Sequence, residues 1–159
     1  AYIHPRRNKQ TTVMKVFKDA FSGEEQFSDS YPHVKVFGDS MYEVKSKYVP
    51  KDDNIVIHEK GAFDADEPEN NDDIEMVNDI LDSFHFQEVQ LTKKDFMAYV
   101  KGYLKRAVGY LKENGKEDRV KDFQKGATEA VKFICGIHGE FQFYVGPAFD
   151  MEAGIAMCW

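Results

Sequence analysis

Cysteine is scarce in this 159-residue chain: Cys135 and Cys158 are the only two, far apart and in no metal-like spacing. Neither a disulfide framework nor a zinc site is therefore indicated, and reduced thiols in the cytosol are the simplest reading. Long apolar runs are missing too. Nothing approaches the roughly 18 residues that a membrane span needs, and nothing resembles the apolar core of a signal peptide. Positive charge is in deficit, with a net charge of -7, so the phosphate fields of nucleic acids and anionic membranes would repel the average surface. No phosphate-binding loop, dinucleotide fingerprint or internal repeat occurs, so the glycines read as turn residues.

What is present is a folding composition. Hydrophobic residues make up 42% and aromatics 14%, with 13 Phe and 8 Tyr, as in a chain with a packed core. The length fits one domain. Residues 1–13 (AYIHPRRNKQTTV) are polar, basic and without period, and they read as an added, non-native extension ahead of a native start at Met14. Residues 14–159 are then expected to form a single domain.

From Val16 to Val49 the pattern is that of a sheet. Val34 and Val36 alternate with His33 and Lys35, Gly38-Asp39 marks a turn, and beyond it Tyr42, Val44, Ser46 and Tyr48 alternate with Glu43, Lys45 and Lys47. That is an antiparallel hairpin with one wet face. Asn54–His58 is a further short strand. Residues 59–73 hold Gly61, Pro68, Asn70 and Asn71 among acids with few apolar anchors, which predicts a flexible surface loop. Strand signals return from Ile74 to Leu91, interrupted by Asp79, Asp82 and Ser83, so one bent strand or two shorter ones are expected.

Two helices follow. Thr92 is a good N-cap, and Asp95 three residues on imitates the partner of a capping box. Phe96, Tyr99, Val100, Tyr103, Leu104, Val108 and Leu111 then fall along one helical stripe until Asn114-Gly115. Val120, Phe123, Ala127, Val131 and Ile134 form a second stripe before Gly136. So short a connection predicts an antiparallel α-hairpin over about 92–136. Strands at Phe141–Val145 and Gly154–Trp159 close the chain. The order strands, helical hairpin, strands predicts an α+β domain, mainly β, with a helical insertion.

Charge is segregated. Between residues 64 and 82 lie nine acids and no Lys or Arg. Hard cations take six to eight oxygens, so Asp64, Asp66, Glu67, Glu69, Asp72 and Asp73 are candidate ligands for weakly bound calcium, although EF-hand spacing is absent. A solvated loop is the alternative. The hairpin is the opposite pole, with eleven Lys or Arg against six acids between 93 and 132, a local +5. Lys101, Lys105, Arg106, Lys112, Arg119, Lys121 and Lys125 are candidates for a face that docks acidic partners, against the alternative of an ordinary solvated helix surface. Catalytic candidates are few. Cys135 and Cys158 have no diagnostic context beside a base, and the histidines are scattered.

These segments resemble the translationally controlled tumour protein family. The run Phe17 to Tyr31 (FKDAFSGEEQFSDSY) is similar to its amino terminus, with Phe-Ser-Asp at Phe27, Ser28 and Asp29. The hairpin, with Phe96, Tyr99, Tyr103, Arg119, Val120 and Phe123, has the family's rhythm. Phe141 to Gly146 (FQFYVG) and Asp150 to Gly154 (DMEAG) resemble its second signature, and the similarity runs from Met14 to Trp159. Three departures stand out. Gly61–Glu67 carries Phe63 and Ala65 at polar positions of the first signature, Gly146 is followed by Pro147 where the family has Gly-Glu, and the family continues past the position of Trp159.

The resemblance implies a mixed, tent-like sheet beside an α-hairpin, with a flexible acidic loop and with its closing strands truncated here. It implies a non-enzymatic cytoplasmic regulator that binds proteins, among them small GTPases, translation elongation factors and tubulin, without nucleic acid or membrane as partner. No cofactor is required, and calcium is bound weakly. Glu25 falls at the family's GTPase-contacting glutamate. The alternative is a Cys-dependent redox enzyme of the methionine sulfoxide reductase-like fold, whose zinc-binding Cys pairs are absent here.

Overall fold

The computed structural model describes residues 13–51 and 75–159. The expected amino-terminal extension (but for Val13), the strand at Asn54–His58 and the acidic loop at 59–73 lie outside the described residues. The architecture is α+β. Strands β1 (Val16–Lys18) and β2 (Glu25–Ser28) pair antiparallel, as do β3 (His33–Val36) with β4 (Met41–Val44), and β5 (Tyr48–Pro50) with β6 (Met76–Asn78). A one-turn helix α1 (Asp79–Ser83) leads to β7 (Gln87–Val89). Helices α2 (Lys93–Glu113) and α3 (Val120–Gly136) then precede β8 (Gln142–Val145) and β9 (Ala156–Cys158). Strand β8 is central in a three-stranded sheet of order β7-β8-β9. The helical hairpin is thus a true insertion, since β7 and β8, which flank it in sequence, are direct neighbours.

Local chemistry accounts for most boundaries. Thr92 Oγ1 accepts from Asp95 N at 3.2 Å and donates to Asp95 Oδ2 at 2.6 Å, so α2 starts at the expected cap. It ends at Asn114, followed by Gly115 in the left-handed region at φ 67°. The closing strand is shorter than expected, Ala156–Cys158 rather than Gly154–Trp159, because Gly154 N donates to the Asp19 side chain instead of to a neighbouring strand.

Of the two expectations for the stretch up to Leu91, it is the two shorter strands, β6 and β7, that form, but a helical turn separates them. Asn78 Oδ1 accepts from Ile80 N and Leu81 N at 3.1 and 3.2 Å, capping a helical turn that buries Ile80. Asp79, Asp82 and Ser83, the interruptions in the strand signals, all belong to that turn. A side chain that satisfies two free N–H groups outweighs strand propensity over so short a stretch.

The core sits between the hairpin and the three-stranded sheet. Phe96 of α2, Ile134 of α3, Val89 of β7, and Phe143 and Val145 of β8 form the buried cluster. Phe96 packs 5.4 Å from the Phe143 ring. The β3–β4 turn leans on α3 at Gly126, where a β-carbon would stand 1.9 Å from the Phe37 carbonyl oxygen. Glycine is required there by contact between two backbones, not by helix propensity, which it lowers. A second aromatic group, Phe17 and Phe27 stacked at 4.4 Å with His33 and Tyr42 edge-on or tilted against them, holds β1–β2 to β3–β4.

Candidate functional site

Helix α2 presents two faces with different chemistry. Lys101, Lys105 and Lys112 are spaced i, i+4, i+11, which puts them within about 40° of arc on a helix of 3.6 residues per turn. Phe96, Val100, Tyr103 and Ala107 lie on the other side and turn toward the core. The same spacing recurs on α3 with Lys121, Lys125 and Lys132, roughly opposite Phe123, Ala127, Ala130 and Ile134. All six lysines are exposed, and none makes an ion pair among the described residues. Arg119 is exposed at the start of α3, beside a small notch of about 110 Å³ that it lines with Gly38, Asp39, Asp122 and Phe123.

Arg106 departs from the expected role of a free docking cation. Its Nη1 donates to the Glu152 carbonyl oxygen at 2.6 Å, and its guanidinium lies 4.2 Å over the Phe21 ring. It belongs to a polar seam that joins three segments distant in sequence. Asp19, 8% exposed, is the hub. Its Oδ2 accepts from Phe21 N, Ser22 N and Ser22 Oγ at 2.9, 2.8 and 3.1 Å. Its Oδ1 accepts from Gly154 N at 3.0 Å and from Tyr103 Oη at 3.4 Å. Tyr99 Oη donates to the Ala153 carbonyl oxygen at 2.6 Å and accepts from Ile155 N at 3.1 Å. Burial, and next the Asp19 carboxylate, push the Tyr103 hydroxyl up to about 12. Burial, followed by neighbouring Tyr103, raises that of Tyr99 as well. Both are held as neutral donors. Sequence reasoning placed these tyrosines on a core stripe and missed Asp19, whose one local signal is that it heads an Asx-type turn, accepting from the N–H groups two and three residues on.

Glu25 is exposed on β2, where its carboxylate lies 3.4 Å from Lys18 Nζ across the strand pair. Its neighbour Glu24 turns inward. Glu24 Oε1 accepts from Ala148 N at 2.7 Å, and Oε2 occupies the place a β-carbon on Gly146 would need. The β1–β2 turn is thereby clamped to the loop after β8, with Pro147 following Gly146 at the surface.

The six candidate calcium ligands, Asp64, Asp66, Glu67, Glu69, Asp72 and Asp73, lie outside the described residues. Among the described residues no group of three or more His, Cys, Asp or Glu could hold a metal ion, and no helix is long and apolar enough to cross a membrane. Both thiols are free. Cys135 Sγ lies 3.2 Å from the Met97 thioether, a contact with no base in it, so the geometry lends the redox alternative no support.

Comparison with known proteins agrees with this layout. Residues 14–159 match the family model described as translationally controlled tumour protein. Among relatives, the chain is 36% identical over 152 residues to a translationally-controlled tumor protein homolog of Theileria parva, covering 92% of this chain and 87% of the relative. It is 39% identical over 148 residues to the homolog of Plasmodium chabaudi chabaudi, covering 89% and 85%. The solved structure of the translationally controlled tumor-associated protein of Schizosaccharomyces pombe superposes with a TM-score of 0.71 at 30% identity, covering 91% of this chain and 86% of that one. The Caenorhabditis elegans protein, at 22% identity and a TM-score of 0.62 over 91% and 85%, shows the same fold.

Proposed function

The chain belongs to the translationally controlled tumour protein family, and on that premise we propose that it is a non-enzymatic cytoplasmic regulator acting through protein–protein contacts. One observation carries the reading: two packed helices present matched lysine stripes to solvent, with the core behind them and no ion pairs quenching them among the described residues. Such a face attracts acidic segments, of the kind found in tubulin tails and elongation factors, through complementary charge. Lys101, Lys105, Lys112, Arg119, Lys121 and Lys125 are its contributors. Arg106 braces the face from the side.

Glu25 is the second contact, assigned to a small GTPase by family resemblance and supported by its exposure on β2. Weak calcium binding by the acidic residues between 64 and 73 completes the proposal. It rests on carboxylate density alone.

The test is fluorescence anisotropy with a labelled oligoglutamate peptide. Binding is expected to weaken about tenfold or more when Lys101, Lys105 and Lys112 are changed together to alanine, and to fall steeply with added salt. Affinity indifferent to both would remove the hairpin from the mechanism. For Glu25→Lys, undiminished GTPase capture in a pull-down would discard the second contact. Calorimetry without heat at millimolar calcium would end the third.

A further inference from the structure

The loop between β8 and β9 is fastened at both ends and turned outward in the middle. At its start the Glu24 carboxylate grips Ala148 N and packs on Gly146. At its far end Arg106, Tyr99 and Asp19 hold the backbone of Glu152, Ala153, Gly154 and Ile155. Between these anchors Phe149 N donates to the Gly146 carbonyl oxygen at 3.0 Å, and Phe149 itself takes φ 56°. That left-handed backbone is unfavourable for a residue with a β-carbon. Phe149 is nevertheless 56% exposed, and Met151 two residues on is 39% exposed. An aromatic ring on a stiff support is the type of residue that dominates interface energetics, because little conformational freedom remains to be lost on docking.

The charge carried by the loop and by the turn beside it is acidic. Residues 146–155 include Asp150 and Glu152 and no Lys or Arg, and the abutting turn 19–26 includes Asp19, Glu24 and Glu25 and no Lys or Arg. The cations that reach these segments are already engaged, Lys18 with Glu25, and Arg106 with the Glu152 carbonyl oxygen and the Phe21 ring, its contact with the Glu152 carboxylate being long at 3.9 Å. The Glu152 side chain is 87% exposed.

We propose that this loop is a docking site for a basic segment of another protein, in which an apolar side chain covers Phe149 and Met151 while Lys or Arg residues meet Asp150 and Glu152. The surface is opposite in sign to the lysine face, so the two select different partner sequences. The same acids oppose an anionic membrane as occupant. The inference rests on the partner-binding reading but uses none of the hairpin lysines.

The experiment selects twelve-residue peptides displayed on phage against the full chain and measures the enriched sequences, once synthesised, by anisotropy. Enriched peptides are expected to combine Leu, Ile or Phe with two or more Lys or Arg. Their affinity should fall about tenfold or more on Phe149→Ala and on Glu152→Lys, persist with Phe149→Leu, and be unchanged when Lys101, Lys105 and Lys112 become alanine. Thermal melts check that each variant is folded.

Peptides that bind Phe149→Ala as tightly as the wild type, a wholly acidic enriched set, or no enrichment at all would overturn the proposal. So would Phe149-dependent binding to phosphatidylserine vesicles. Acidic peptides lost only in the lysine variant would sink the loop while sparing the hairpin reading. Basic peptides bound through Phe149, with no acidic ligand for the lysines, would do the reverse.

Discussion

Lys105 and Arg106 are adjacent on one helix and carry the same charge, yet they occupy different physical regimes. Lys105 stands in water with no ion-pair partner among the described residues, whereas Arg106 is spent on a carbonyl oxygen and an aromatic ring. The contrast extends to the two surfaces they represent. The lysine face is open to solvent and makes no ion pair among the described residues. The seam around Asp19 ties residues 19–24, α2 and 146–155 together, and Phe149, Asp150, Met151 and Glu152 remain exposed at its outer edge. Charge in the sequence therefore identifies a surface only after the structure has claimed its share.

The strongest way to break this contrast is to remove the hub. Asp19→Ala leaves two loop N–H groups, the Gly154 N–H and the Tyr103 hydroxyl without their acceptor, and a loss of about 3–5 kcal/mol in urea unfolding is expected. A change below about 1 kcal/mol would show that the seam does not hold the three segments. Gly126→Ala forces α3 and the β3–β4 turn apart and should cost about 2–3 kcal/mol, with the melting temperature as readout.

The seam also gives a pH signature. The Tyr103 hydroxyl, raised from about 10 to about 12 by burial and Asp19, stays neutral in the folded state while the unfolded chain ionises. Its stabilising contribution is complete below about pH 10 and is lost as pH rises through about 12. Each unit of difference is worth about 1.4 kcal/mol. Tyr103→Phe should therefore flatten the alkaline fall in stability between pH 10 and 12, and an unaltered slope would count against the buried donor. The smallest effect is expected on the other side of the helix. Changing Lys101, Lys105 and Lys112 to alanine should move stability by no more than about 0.5 kcal/mol per site while binding of acidic peptides collapses. A large destabilisation would assign the stripe to folding.

Much of the fold was legible in residue patterns. The Thr92 cap, the Asn114-Gly115 stop and the two apolar stripes are signals that a few neighbouring residues produce, and both helices appear where those signals put them, whereas the strand expected to run from Tyr42 to Tyr48 ends at Val44, Tyr48 belongs to β5, and Val34 is exposed opposite Glu43. The short helix after Asn78 was not legible, because a cap that claims two N–H groups looks in sequence like an interruption of a strand. The site divides in the same way. Exposure of the lysines follows from their position opposite the apolar stripe. The recruitment of Arg106 follows from nothing near it in sequence, since its partners are Phe21 and Glu152.

By itself the sequence determined the family, the helical hairpin and the basic character of its outer face, because each depends on residue identity at local spacing. Tertiary structure alone decided which charges remain free. Asp19, Glu24, Tyr99, Tyr103 and Arg106 join segments as far apart as 135 residues, and only when the chain is folded can the one carboxylate of Asp19 accept from its own turn, from Tyr103 and from Gly154.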